Sequence, residues 1–162
     1  MKRKFIYQET IKKLPDKRKV KMQLIVHPGA ALIVPFLGRE QLIMLKQYRP
    51  AIDDYLYEFP AGTLNPDERP LACARRELSE ETGYATRRFT YLGKIYPVPG
   101  YATEVIYIYK AEGLHRTQGQ KPDEDEVIET HVMSVPEIRK MFEQGKIMDA
   151  KTICALVFCG II

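Results

Sequence analysis

The sequence predicts an α+β fold: a mixed β-sheet held between helices as an α/β/α sandwich, with a small N-terminal β-hairpin region attached. Three observations lead there. Alternating apolar and polar residues in the first 27 positions flank the turn-forming LPDKRK, the pattern of a hairpin. Strand-length apolar runs then recur at uneven intervals, which does not suit a regular βαβ alternation. Three segments carry helix start and stop signals.

Taken in order, KFIYQETIKKLPDKRKVKMQLIVHP reads as two strands around their turn. GAALIVPFL and EQLIMLKQYRP read as two more, separated at Gly38, and YLYEFPAG as a short strand ending in a Pro and Gly loop. Pro70 to Thr82 is a helix with proline at its first position and Gly83 just past its end. Strands follow near Phe89–Tyr96, Glu104–Ala111 and Val127–Ser134. SVPE, from Ser134, is a capping box opening a helix to about Gln144, stopped by Gly145. Asp149 caps a last helix, AKTICALVF.

Composition sets bounds on function. The chain has 162 residues, 45% hydrophobic and 28% charged, as for a single soluble domain with its own core. Neither GAALIVPFLG nor ICALVFCGII reaches the roughly 20 residues of a membrane span. MKRKFIYQET is basic but has no apolar run behind it, so it does not read as a signal peptide. Cys73, Cys154 and Cys159 form no C-x-x-C pair and read as free thiols in a reducing cytosol. His27, His115 and His131 are too scattered for a zinc site. Residues 1–27 hold nine Lys or Arg against two acids, within a net charge of +4. Such a segment could attract phosphates, but the plainer reading is a solvated hairpin whose lysines guard its edges. No aromatic interleaving or nucleic-acid motif speaks for RNA or DNA.

The helix at Pro70–Thr82 carries the chemistry. Glu77, Glu80 and Glu81 fall at i, i+3 and i+4, on one face, where like charges cost a few tenths of a kcal/mol per pair. Leu71, Ala74 and Leu78 form an apolar stripe beside Glu77 and Glu81, so these acids sit at the border of the buried face. Half-buried carboxylates need cations or hydrogen bonds. Arg76 can pair with Glu80 at i+4, but one arginine does not neutralise three acids. Oxygen ligands at close quarters suit a hard cation such as Mg²⁺ that also binds substrate phosphates.

Around that helix, Gly62, Glu68, Arg76-Glu77-Leu78, Glu80-Glu81 and Gly83-Tyr84 stand at the spacing G-x5-E-x7-R-E-U-x-E-E-x-G-U. This resembles the Nudix box of the Nudix hydrolase superfamily, with Tyr84 in place of the usual aliphatic residue. Seven fixed residues would match by chance on the order of once in a hundred million starts. The resemblance implies the Nudix fold and hydrolysis of a nucleoside diphosphate linked to another moiety, by attack of water on phosphorus. It implies Glu77 and Glu81 as metal ligands, with Glu80 as a further ligand or holding water in the reaction. It adds the Ala61 carbonyl, faced to the metal by the turn at Gly62, and Mg²⁺ as cofactor, with Mn²⁺ able to substitute. Glu68 and Arg76 brace the loop and helix, and Gly83 ends it.

A narrower resemblance, to bacterial ADP-ribose pyrophosphatases, covers most of the chain. Pro99 lies 16 residues beyond Gly83, the position of that group's proline. HPGA (from His27), KQYR (Lys46 to Arg49), EFPAG (Glu58 to Gly62), PDEDE (Pro122 to Glu126) and DAKT (from Asp149) match as well. The resemblance implies Arg49, Glu58 and Pro99 at the substrate, and a catalytic base from the acidic loop, Glu124 or Glu126; Glu104, after PGYAT, is a further candidate to approach the substrate or the metal. It implies that residues 1–27 form a homodimer and help complete the adenosine site, while residues 28–162 form the catalytic domain. One departure concerns the adenine side: Met22 and Gln23 occupy places where the group often has an Arg-Glu pair. Tyr7, Tyr48 and Tyr101 are candidates to stack on a base. Other readings are another nucleotide sugar, a nucleoside triphosphate or an RNA end as substrate. Nudix-fold regulators that bind without catalysis typically have eroded boxes, and this box is intact.

Overall fold

The computed structural model describes residues 5–117, 119–120 and 127–162. The hairpin forms as expected: β1 (Ile6–Lys13) pairs antiparallel with β2 (Lys19–Val26) in full register, from Ile6 opposite Val26 to Lys13 opposite Lys19. Lys17 takes a left-handed backbone at its turn, φ 71°, and Asp16 accepts from Arg18 Nε at 2.6 Å.

Two sheets make the body. In one, β6 (Ala61–Thr63), β3 (Ala30–Pro35), β9 (Ile106–Glu112) and β8 (Arg88–Ile95) lie side by side in that order. The pair β3–β9 is parallel and its neighbours antiparallel, so the sheet is mixed. In the other, β4 (Gln41–Arg49) lies between β11 (Ile128–Ser134) and β5 (Asp54–Glu58), both antiparallel to it. Helices α1 (Pro70–Thr82), α2 (Val135–Glu143) and α3 (Ala150–Phe158) complete the body. A short pair, β7 (Tyr84–Ala85) with β10 (His115–Arg116), closes over the end of α1.

Strand β3 shows why the body is layered. All six of its residues are buried, the mark of a strand covered on both faces. Ala31 and Ile33 pack with Cys73, Ala74 and Leu78 of α1. Ala30, Leu32 and Val34 point the other way, into a cluster with Ile138 and Met141 of α2 and Ala155 and Leu156 of α3. The α/β/α sandwich follows from this period-two split. Burying Leu78 completely contributes about 2 kcal/mol.

The helix signals act as the sequence indicates. Pro70 opens α1, and the N–H of Gly83, at φ 71°, donates to the Ser79 carbonyl at 3.0 Å. Ser134 and Glu137 form a reciprocal capping box on α2. Asp149 caps α3 by accepting from the Thr152 N–H at 3.0 Å. The two- and three-residue strands β6, β7 and β10 are additions to the expected set.

Candidate active site

One cleft of about 390 Å³ opens between α1, the β6 edge, the loop after β8 and the N-terminus of α3. Glu77 and Glu80 line it from α1, and Ala61, Gly62 and Thr63 from β6. The apolar stripe of α1 is seated on β3, which turns Glu77 and Glu81 inward: they are 8% and 2% exposed. Gly62 is required by what meets it. A Cβ there would lie 1.7 Å from Oε1 of Glu77, so the carboxylate occupies the space of a side chain. Oε2 of Glu81 accepts the Ala61 N–H at 2.9 Å, tying the helix to the strand edge.

Arg76 organises the acids. Its Nε and Nη2 donate to both oxygens of Glu68 at 3.0 Å. Its Nη1 donates to Glu77 at 2.5 Å and to Glu80 at 3.0 Å, the i+4 pair. Nη2 also reaches the Thr63 carbonyl at 3.2 Å. These bonds, led by the one to Glu68, raise the guanidinium pKa far beyond its ordinary value. The same partner holds the Glu68 carboxyl below its usual range. Glu68 and Arg76 thus brace loop and helix. Behind them Cys73 is buried, donating to the Gly62 carbonyl at 3.4 Å, and burial pushes its thiol up to about 12.

Among the described residues, no three His, Cys, Asp or Glu side chains form a ready metal cage. Arg76 spans Glu77 and Glu80, and Glu81 is turned to the Ala61 N–H. The donor set still fits a hard cation: every available atom is an oxygen, and Gly62 leaves the space for Glu77 to approach the Ala61–Gly62 backbone.

The second side of the cleft is built on Glu58, the last residue of β5 and only 1% exposed. Arg49, the last residue of β4, grips it in a fork: Nε to Oε1 at 2.7 Å and Nη2 to Oε2 at 2.6 Å. Lys151 of α3 donates to the same Oε2, and to Oδ1 of Asp149 at 2.9 Å. Burial pushes the Glu58 carboxyl up, but the Arg49 bonds and the Lys151 charge outweigh it, and it lies below the ordinary range. The Phe59 N–H donates to Thr152 Oγ1 at 3.1 Å, docking α3 on the end of β5.

Of the residues expected at the site, the structure gathers Arg49, Ala61, Gly62, Glu77, Glu80 and Glu104 on one cleft, with Glu58 and Glu81 beneath it. Glu104 lies 3.7 Å from Nδ1 of His27, which accepts the Gly29 N–H at 3.1 Å. Pro99 is exposed in the turn after β8, and Pro97 lines the cleft there. Glu124 and Glu126 lie outside the described residues. Tyr48 donates to Asp53 at 2.5 Å and packs on Tyr55, while Tyr7 and Tyr101 are more than half exposed. The sequence reading assigned no site role to Lys151, Asp149 or Pro97.

This geometry, a helix-borne row of glutamates against a glycine-bearing strand edge, is that of a Nudix hydrolase. The chain belongs to that family: the NUDIX domain model matches residues 26–155. It is 33% identical to the ADP-ribose pyrophosphatase of Bacillus subtilis, over 94% of this chain and 83% of that one. It is 32% identical to the methanol dehydrogenase activator of Bacillus methanolicus, over 90% and 79%. With the GDP-mannose pyrophosphatase of Cronobacter sakazakii it shares 34% identity, over 79% and 71%. In fold it matches the crystal structure of an ADP compounds hydrolase, TM-score 0.81 at 23% identity, over 98% of this chain and 86% of that one. The protein is therefore a Nudix pyrophosphatase, similar to ADP-ribose pyrophosphatases. Among the described residues no helix is long and apolar enough to cross a membrane.

Proposed function

We propose that this enzyme hydrolyses ADP-ribose to AMP and ribose 5-phosphate in a reducing cytosol. The observation that carries the reading is the cleft itself: acids from α1 on one side and Arg49, forked on buried Glu58, on the other. The likeness to the Bacillus subtilis ADP-ribose pyrophosphatase supports the choice of substrate. Water adds to one phosphorus as the bridging P–O bond breaks, and its proton passes to a carboxylate. Glu124 is the base in this reading, with Glu126 the alternative in the same acidic segment. Arg49 has N–H groups on Nη1 with no acceptor among the described residues, and these meet a phosphate oxygen. Glu77, Glu80 and Glu81, with the Ala61 carbonyl, are the residues that would hold Mg²⁺ or, in its place, Mn²⁺. When bound, such a cation neutralises diphosphate charge and acidifies water.

The assembly belongs to the same reading. Tyr7 and Ile11 on one face of β1, Ile6 on the other and Phe5 just before the strand are each more than half exposed, apolar surface that a monomer leaves in water. Packing of residues 1–27 against a second copy covers it and brings the hairpin to the partner's substrate site. A panel of ADP-ribose, GDP-mannose, an oxidised dGTP and a capped RNA, each with Mg²⁺ and Mn²⁺, is the test. ADP-ribose should be turned over fastest. GDP-mannose in first place would move the enzyme toward its GDP-mannose pyrophosphatase relatives, and a triphosphate or RNA would replace the substrate class.

A further inference from the structure

Glu77 stands in the interior of α1, but Glu81 stands one residue from its end. The last four carbonyls of a helix have no partner within it, and its last turn frays unless other groups hold it. At this end the partners come from outside the helix. The Gly83 carbonyl accepts from the Thr117 N–H at 2.8 Å and from Thr117 Oγ1 at 3.0 Å. The Glu81 carbonyl accepts from Gln120 Nε2 at 2.5 Å and from Thr130 Oγ1 at 3.5 Å. Gln120 Nε2 also donates to Thr130 Oγ1. Amide, hydroxyl and carbonyl thus close a triangle in which both N–H groups and the O–H are donated. Such donors also suit the negative end of the helix dipole. A Cβ on Gly83 would lie 3.2 Å from the Gln120 nitrogen and 3.3 Å from the Gly119 carbonyl carbon, so the glycine lets residues 119–120 sit this close.

We propose that Gln120 is a positioning residue for the cation site: with Thr130 it holds the main chain of Glu81, and so fixes where that carboxylate meets the cation. The proposal rests on the reading of Glu81 as a metal ligand and deepens it. Glu81 is 2% exposed and fastened at two points, its carboxylate to the Ala61 N–H at 2.9 Å and its carbonyl to the triangle. A hard cation accepts ligand oxygens only within a few tenths of an ångström of their ideal distance. A last turn that frays carries the Glu81 oxygens outside that margin. Gln120 is exposed, so water can satisfy the carbonyl in its absence, but water does not tie α1 to β11. The expected effect is therefore on metal affinity, and modest in size.

The test measures Mn²⁺ binding by electron paramagnetic resonance, without substrate, in the wild type, Gln120→Met, Thr130→Val and Thr130→Ser, each with its melting temperature. Gln120→Met keeps the length of the side chain and removes its donors. It should weaken Mn²⁺ binding about three- to tenfold, the scale of one hydrogen bond. Thr130→Val should weaken it by about twofold or more, and Thr130→Ser, which keeps the hydroxyl, should match the wild type. Activity of Gln120→Met on ADP-ribose should fall at low Mg²⁺ and return to near the wild-type kcat at saturating Mg²⁺, with KM for ADP-ribose little changed. Unchanged Mn²⁺ affinity in a folded Gln120→Met protein overturns the proposal. So does a loss of kcat that saturating Mg²⁺ leaves in place. If Gln120→Met does not fold, the Thr130 pair decides: equal Mn²⁺ affinity in Thr130→Val and Thr130→Ser overturns it. A wild type that binds no Mn²⁺ would bring down the metal reading and this proposal with it. A wild type that binds Mn²⁺ but leaves ADP-ribose intact would bring down the substrate reading alone, and the comparison of Mn²⁺ affinities would still decide.

Discussion

On the α1 side of the cleft one arginine serves several carboxylates; on the other side one carboxylate serves two cations. Arg76 binds Glu68, Glu77 and Glu80, and Glu81 accepts the Ala61 N–H instead, so among the described residues carboxylates outnumber cations on this side. Glu58 binds Arg49 and Lys151, and Asp149 completes a balanced set of four. The same ion-pair chemistry thus yields opposite results. Among the described residues the first side gathers more carboxylate than cation, and the second presents N–H donors whose charge is supported by buried Glu58. The proposed reaction, on a diphosphate with a bound cation, would use both arrangements.

The comparison can be broken at either side. Glu77→Gln or Glu81→Gln should lower kcat by at least about a hundredfold, the scale of losing one fixed electrostatic stabiliser, while far-ultraviolet circular dichroism stays native. Arg75→Ala, on the exposed side of the helix against Phe89, should leave activity intact. Equal activity of Glu81→Gln and wild type in saturating Mg²⁺ would remove the α1 side from the mechanism. Glu124→Gln should cut kcat by about a hundredfold or more with a smaller effect on KM, and Glu126→Gln should be milder, as steady-state kinetics would reveal. The reverse order makes Glu126 the base.

On the second side the expected effect is on stability. Glu58→Gln should cost about 2 kcal/mol in urea unfolding at pH 7, less than a fully buried pair because Arg49 is 37% exposed. The Glu58 carboxyl lies below its ordinary value in the folded chain, so its contribution is present above the unfolded pKa and is lost as pH falls through the folded one. Wild-type stability should therefore drop as pH decreases below about 4.5, and the drop should be shallower in Glu58→Gln. A smaller effect on chemistry is expected from removing residues 1–27. Sedimentation should show a monomer in place of a dimer, with metal affinity at Glu77 and Glu81 kept and ADP-ribose bound more weakly. A full-length monomer that is fully active at nanomolar concentration would exclude the assembly.

Much of this was legible in the sequence because it breaks local rules. Three glutamates on one helix face and a conspicuous glycine announce the α1 side, and the bounds of α1 follow from Pro70 and Gly83. Capping signals likewise place α2 and α3. What was not legible is non-local. The parallel pairing of β3 with β9 joins residues far apart in the chain, and β6, β7 and β10 are too short to show a period. Lys151 left one trace, a cation in the first turn of a helix, whose meaning depends on Glu58 arriving from β5.

The hairpin joins the body at one end. Among the described residues, its backbone bonds to the body run from the Ile25 N–H to the Tyr101 carbonyl and from the Thr103 N–H to the Ile25 carbonyl. Strands of eight residues extend about 26 Å from that fastening. By lever geometry, a 10° swing at the base would carry the tip roughly 4.5 Å over such a strand length. Conversely, whatever grips the tip gains mechanical advantage over Thr103, whose chain neighbour Glu104 lines the cleft.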